Sequence, residues 1–300
     1  MRSLEMGVMP SPKATSAFEP SVVASMIVIL SVSAIVLDVF LLVSVRKLKI
    51  FWNSFGALSA SRSVAHLATA AIHVVWCAPL TYMQVQPPMA LTVALGSIVY
   101  VADFASLLSN LSIAATRLLA VCCFLRYKLL QKKMTWCTVV CSWTVAICFT
   151  IILCIQSKLL YYDPFQYVWY PLRNPGFFTE MHIDLTFTCI SVAIDFATLT
   201  KIIHHNVAIK PKAGSTSSFN QEVRFFVQIA LQNVFNLGNL LCIQYMGYGK
   251  SPMRQFLLDL ALWLLSFTVD ALLFMLVNPE VKKFMVRPKV IVVSSSSQSA

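Results

Sequence analysis

The stretch PSVVASMIVILSVSAIVLDVFLLVSV, at residues 20–45, decides the structural class of this protein. Its single charged residue is Asp38, and basic residues follow it directly at Arg46, Lys47 and Lys49. A bilayer core of about 30 Å needs roughly 20 mostly apolar residues of helix. The stretch is therefore predicted to be a membrane-spanning helix that stops at a basic membrane surface.

The rest of the chain repeats this pattern. Further apolar stretches of similar length have predicted bounds of 54–80, 90–124, 134–157, 181–203, 223–246 and 253–277. Backbone polar groups find no water inside lipid, so each stretch is expected to be helical. The sequence thus predicts an all-α membrane protein, a bundle of seven transmembrane helices at 20–277. An outer segment at 1–19 and an inner tail at 278–300 flank it.

The composition excludes a soluble globular protein. Of the 300 residues, 58% are hydrophobic and only 12% are charged. Soluble domains carry about twice that share of charged residues. Most Lys and Arg residues lie on alternate connecting segments, which predicts an amino terminus outside and a carboxyl terminus inside. The net charge of +11 is therefore explained by topology. The lipid bilayer is the expected partner, and nucleic acid is not.

No motif points to catalysis. The nine cysteines form no CxxC pair and no Cys/His pattern with metal-ligand spacing. We find neither a Gly-rich phosphate loop nor a nucleophile motif. We therefore expect no enzyme, no catalytic residue, no metal site and no cofactor.

Polar residues recur at helical spacing within the third, fifth, sixth and seventh stretches. Such residues are costly in lipid, so they should face the bundle interior. Two interpretations stay open. They form interhelical hydrogen bonds worth about 0.6 kcal/mol each, or they line a ligand cavity in the outer half of the bundle. The candidates for ligand binding are Asp103, Ser106, Asp184, Thr188 and Trp263.

The longest outer segment, 158–180, is rich in aromatic residues, among them Tyr161, Tyr162, Tyr167 and Trp169. Aromatic side chains at this level form either a belt at the membrane interface or a lid over a ligand cavity. The belt is the interpretation that we favour from sequence.

Four short motifs resemble one receptor family. The segment SNLSIAATRLLAV at 109–121 resembles the inner end of the third helix of rhodopsin-like receptors. It is most similar to the nematode serpentine chemoreceptors of class X (Srx). NSFGAL at 53–58, EVRFFVQ at 222–228 and NPE at 278–280 resemble that family's second, sixth and seventh helices in the same order. One departure is Thr116, which stands where the family pattern has Asn.

The resemblance implies a chemosensory G-protein-coupled receptor. Its ligand, a small-molecule chemical cue or a peptide, would bind in the outer half of the bundle. A heterotrimeric G protein would engage the inner ends of the third, fifth and sixth helices. The protein would span the plasma membrane several times, with a sensory neuron cilium as one location. The alternatives are a membrane transporter or channel, or a seven-helix membrane protein that does not signal.

The resemblance also assigns a switch and G-protein coupling role to a set of residues near the inner surface: Arg117, Glu222, Arg126, Tyr127, Asn278 and Pro279. Arg117 is the expected switch, and Glu222 is its expected acidic partner across the inner cleft. The alternative is that Arg117 extends its guanidinium to the membrane interface.

Overall fold

The computed structural model describes residues 18–156, 160–171, 177–208, 216–246 and 251–286. Within these residues the chain forms seven long helices: α1 (Phe18–Lys47), α2 (Ser54–Met83), α3 (Met89–Cys122), α4 (Phe124–Ile155), α5 (Phe177–Ala208), α6 (Thr216–Met246) and α7 (Pro252–Val277). A short helix, α8 (Pro279–Val286), follows. The predicted seven-helix membrane bundle is confirmed, and its orientation in the membrane stays a prediction.

Six of these helices are long and apolar enough to cross a membrane over their described residues: α1, α2, α3, α4, α5 and α7. Their outward faces carry large apolar side chains that only lipid can cover, such as Ile29, Val36 and Phe196. The helix α6 has a similar length, but amide residues interrupt its apolar ones: Gln228, Gln232, Asn233, Asn236 and Asn239.

Two predicted helix starts are wrong by about two turns or more. The sixth helix begins at Thr216 rather than at 223, and the error at the start of the fourth helix is larger. The fourth helix begins at Phe124 rather than at 134, so Cys123 alone separates α3 from α4. The prediction used the apolar stretch as its limit. Residues 124–133 include three Leu and three Lys, which favour helix in water as well, so the helix extends beyond its apolar part.

The helix α3 lies at the centre of the bundle. It contacts α2, α4 and α5, while α1 packs on α2 and α7, and α6 packs on α5 and α7. Two apolar clusters result. The hairpin-end cluster includes Ile27, Phe104 and Leu264, and the Arg117-end cluster includes Phe55 and Phe274.

A layer of buried polar residues separates the two clusters. Its members, one each from α1, α2, α3 and α7, are Asp38, Arg62, Asn110 and Asp270. On each helix this residue lies between residues of the two clusters in sequence. We call these four residues the polar layer.

Two helices contain a wide turn of π type that the sequence does not predict. In α2 it covers His73–Cys77, just before Pro79. Proline has no backbone N–H to donate, and its ring clashes with the carbonyl of the preceding helical turn. In α7 it covers Leu257–Ala261 and contains Asp259. Such turns are frequent at functional sites.

The segment between α4 and α5 forms an antiparallel hairpin, the one departure from an all-α fold among the described residues. Its strands are β1 (Leu160–Asp163) and β2 (Val168–Pro171), with Tyr162 opposite Trp169. The turn is closed by Asp163, whose Oδ1 accepts a 2.9 Å hydrogen bond from the Phe165 backbone N–H.

The hairpin packs on the bundle instead of facing the membrane interface. Tyr162 and Tyr167 are fully buried, and Trp169 is 7% exposed. The Tyr162 hydroxyl is 2.6 Å from the Thr81 hydroxyl, and the Trp169 indole N–H donates to His73 Nε2 at 3.2 Å. The belt interpretation is therefore wrong for these residues, because the protein itself buries their side chains. The lid interpretation fits.

Gly96 on α3 allows the hairpin to come this close. A Cβ atom added at Gly96 would lie 2.5 Å from the backbone oxygen of Leu160 in β1. Backbone of a paired strand cannot move aside as a flexible side chain can. A side chain at position 96 is therefore incompatible with the observed hairpin position.

We expect Gly96→Ala to lower the stability of the folded protein by about 1–3 kcal/mol, because the hairpin must shift. The measurement is thermal unfolding of the purified protein in nanodiscs. Gly238→Ala in α6 is the matched control, since an added Cβ there meets no atom within 4 Å. Equal unfolding temperatures for the two variants would contradict this account of the hairpin.

Candidate functional site

A cavity of about 210 Å³ lies between the hairpin and the polar layer. The five residues predicted for ligand binding all line it: Asp103, Ser106, Asp184, Thr188 and Trp263. They come from α3, α5 and α7, and the helical spacing of the polar residues turns them to one interior space. Their role in binding stays a prediction.

The upper wall of the cavity is aromatic and apolar. Leu160 and Trp169 of the hairpin line it together with Tyr100 and Phe104 of α3. His73 holds Trp169 in place from the π-type turn of α2. The His73 Nδ1–H donates to the Thr69 carbonyl at 2.7 Å, which leaves Nε2 free to accept from the Trp169 indole.

The floor of the cavity is an ion pair between Arg62 of α2 and Asp270 of α7. Both side chains are buried, with 8% and 7% exposure. The Gln232 amide of α6 donates to the Asp270 backbone carbonyl at 2.9 Å. Arg62 Nη1 also lies 3.4 Å from Asn110 Oδ1 of α3. These contacts thus join α2, α3, α6 and α7 directly below the cavity.

A polar network continues from this floor toward the far end of the bundle. The Asn110 amide donates to Asn233 Oδ1 of α6, and the Asn233 amide donates to Asp195 Oδ2 of α5. Asp195 in turn lies within electrostatic range of Arg117. The network therefore runs from the cavity floor to the arginine predicted as a switch.

A second branch joins the first helix to the cavity. His66 Nε2 is 3.0 Å from the Ser106 hydroxyl, and His66 Nδ1 is 3.8 Å from Asp38 Oδ2. The His66 ring also stacks on Phe267 of α7, with ring centroids 4.3 Å apart. His66 is thus a packed, hydrogen-bonded histidine between Asp38 and the cavity wall.

The family model described as serpentine type 7TM GPCR chemoreceptor Srx matches residues 28–278. This chain belongs to the Srx family. The match confirms the resemblance found in the sequence motifs. The matched residues include those that line the cavity and those that form the polar network. No curated protein matches the chain significantly.

In this Srx receptor the Arg117 guanidinium lies inside the bundle. Its side chain is 8% exposed, and its Cζ is 4.7 Å from the centre of the Phe55 ring on α2. The interpretation in which Arg117 reaches the membrane interface is wrong, because this cation–π contact and Asp195 hold the guanidinium inward. The described side chains do not include Glu222, Arg126 or Tyr127, so the expected Arg117–Glu222 pair lies outside the described part.

The end of α7 in this Srx receptor is closed by Asn278. Its amide lies 2.6 Å from the Phe274 carbonyl and 3.0 Å from Gln228 Oε1 of α6. Pro279 then begins α8, a position where its missing N–H costs nothing. Asn278 and Pro279 therefore join the ends of α6, α7 and α8, and their coupling role stays a prediction.

Arg62 is the main residue that the sequence analysis missed. A signal was present, since a charged residue in the middle of a membrane helix is costly and needs a partner. Sequence spacing does not reveal that this partner is Asp270, because the two residues are on different helices. The cavity residues Asp259 and Asn239 are also polar residues of the seventh and sixth apolar stretches, but the sequence analysis did not name them as candidates for ligand binding.

We expect Asp270→Asn to destabilise the receptor by about 3–5 kcal/mol, because it leaves the Arg62 charge buried without its counter-charge. Removing both charges, as in Arg62→Met with Asp270→Asn, should recover part of this loss. Thermal unfolding in nanodiscs measures both effects.

The matched control is Glu280→Gln, which breaks the exposed Glu280–Lys283 pair of α8. Exposed pairs contribute about 0–1 kcal/mol, so this variant should unfold close to the wild-type temperature. If Asp270→Asn lost no more stability than Glu280→Gln, the Arg62–Asp270 ion pair would not be a major source of the stability of the bundle.

Proposed function

We propose that this Srx receptor is a chemosensory receptor that binds its ligand in the cavity below the hairpin and activates a heterotrimeric G protein from the Arg117 end. The observation that carries the proposal is the polar network between the two places. It starts at the cavity floor with Arg62 and Asp270, and it reaches Arg117 through Asn110, Asn233 and Asp195.

Ligand binding would act by shifting an equilibrium between two helix arrangements. A ligand shifts such an equilibrium only through a difference in its affinity for the two states. The cavity wall includes residues of α3, α5, α6 and α7, so a change in helix packing changes the contacts available to a ligand. The floor residues Arg62 and Asp270 would carry this change into the network.

Arg117 would act as the switch at the other end. It is held by Phe55 of α2 and attracted by Asp195 of α5, so a shift of α5 or α6 alters its surroundings. In the active arrangement its guanidinium would be released toward the G protein. Glu222, at the base of α6, and the segment with Arg126 and Tyr127 would belong to the same contact surface, as would Asn278 and Pro279.

A transporter or channel needs an open path for its solute across the bundle, which hydrogen-bonded side chains alone do not provide. Below the polar layer the bundle interior holds the Arg117-end cluster, including Leu58, Ile113 and Phe274, each at most 1% exposed. This apolar packing favours a receptor over a conducting protein. A seven-helix protein that does not signal remains the second alternative, and G-protein nucleotide exchange separates it from a receptor.

The decisive experiment is a screen of small chemicals and peptides on cells that express the full chain with a promiscuous Gα and a calcium indicator. We expect a compound that raises calcium in these cells and not in cells without the receptor. Arg117→Ala should abolish that response at unchanged surface expression, whereas Lys133→Ala, an exposed cation on α4, should preserve it. A wild-type response in Arg117→Ala would contradict the switch role.

The proposal also requires the hairpin end outside the cell and the Arg117 end inside. We expect a glycan acceptor tag to be modified at the amino terminus and unmodified at the carboxyl terminus when the protein reaches the plasma membrane. Gel mobility before and after glycosidase treatment reports both. Modification at the carboxyl terminus, or at both termini, would exclude the receptor topology.

A further inference from the structure

Two carboxylic residues, Asp103 and Asp259, line the same cavity as Trp263. Asp259 precedes Trp263 by one helical turn on α7, and Asp103 of α3 interacts electrostatically with the Trp263 side chain. Both carboxylic residues are partly exposed. Acidic residues of two helices, α3 and α7, thus line the cavity together with Trp263.

The cavity lining has more acidic than basic residues. Arg62 is the one Lys or Arg among its described lining residues, and Asp270 already balances it. Asp259 accepts no hydrogen bond from the described residues and takes part in no ion pair with them. A carboxylate in a protein cavity without a counter-charge is costly, so a cation that enters the cavity gains a strong interaction there.

A second observation points to a ligand that donates hydrogen bonds. Asn239 of α6 lines the same cavity and is 9% exposed, and its Oδ1 has no hydrogen-bond partner among the described residues. Buried carbonyl oxygens normally have a donor. An ammonium group offers up to three N–H donors and no acceptor. This set of acceptors therefore matches a protonated amine.

The cavity suits an organic cation better than a metal ion. Within the described residues, no three His, Cys, Asp or Glu side chains come close enough together to hold a metal. The remaining wall is aromatic, with Tyr100, Phe104, Trp169 and Trp263. Aromatic faces attract cations, and they also pack against the apolar part of a ligand. The volume of about 210 Å³ is below the roughly 300–1,000 Å³ of sites for drug-sized ligands.

We infer that the cavity binds a small organic amine, whose protonated amino group interacts with Asp103 and Asp259 beside Trp263 and whose apolar part contacts the aromatic wall. This inference rests on the proposed function for the location of the ligand, and it adds the chemical class. A neutral or anionic compound of the same shape leaves the two carboxyl groups without a counter-charge.

The test uses the purified full-length receptor in nanodiscs and a panel of amines with their alcohol counterparts of equal size. The pairs are 2-phenylethylamine with 2-phenylethanol, cyclohexylmethylamine with cyclohexylmethanol, and 3-methylbutylamine with 3-methylbutanol. The unfolding temperature is measured as each concentration rises, since a ligand that binds the folded state raises it. We expect at least one amine to stabilise the receptor at about tenfold lower concentration than its alcohol counterpart.

Two variants locate the effect. Asp103→Asn and Asp259→Asn keep the side-chain shape and remove the charge, and each should weaken the stabilisation by that amine about tenfold or more. Glu280→Gln removes a carboxylate from α8, outside the cavity, and should leave the stabilisation unchanged. Because two independent variants are used, misfolding of one does not prevent the test.

Three results would overturn the inference. They are no stabilisation by any amine up to millimolar concentration, equal or better stabilisation by the alcohols, and unchanged amine binding in the two Asp variants. The assay contains no G protein, so its outcome is separable from the proposed function. An amine that binds without causing nucleotide exchange contradicts the receptor function alone, and signalling by neutral compounds alone contradicts the amine inference alone.

Discussion

The ion pair between Arg62 and Asp270 is the constraint on which the rest of the bundle depends. A guanidinium in the middle of a membrane helix has no water to solvate it, so the fold must provide a counter-charge and further acceptors. Asp270, Asn110 and Gln232 meet this requirement from three other helices. Their positions fix the relative height of α2, α3, α6 and α7, and the two apolar clusters are packed above and below this level.

The polar layer also explains why the cavity lies where it does. Apolar side chains fill the bundle closely near Phe55 and Phe274, whereas the layer leaves polar groups that apolar side chains cannot cover without loss. The space above Arg62 is therefore lined by acids, amides and aromatic rings. The hairpin covers it from the other side, and Gly96 permits the close contact. The site is built from many elements, each of which supplies one or two residues.

The sequence predicted the helices and the orientation of their polar faces, because apolar length and helical spacing depend on local sequence alone. Asp103, Asp184 and Trp263 were selected in this way, and they line one cavity. The partner of Arg62, the wide turns at His73 and Leu257, and the burial of the hairpin aromatics were not predicted. These features depend on contacts between segments distant in sequence. The predicted starts of α4 and α6 were wrong because a helix can continue beyond the membrane, where hydropathy no longer marks its end.

The junction at Cys123 has a mechanical consequence. A single residue contributes only two soft backbone torsions, and Cys123 alone joins α3 to α4. Axial sliding of one helix past the other is therefore blocked, and only swivelling about that joint is open to the pair. A movement of α3 that begins near Asn110 must therefore also move the adjoining end of α4. The two helices can rotate relative to each other only at Cys123.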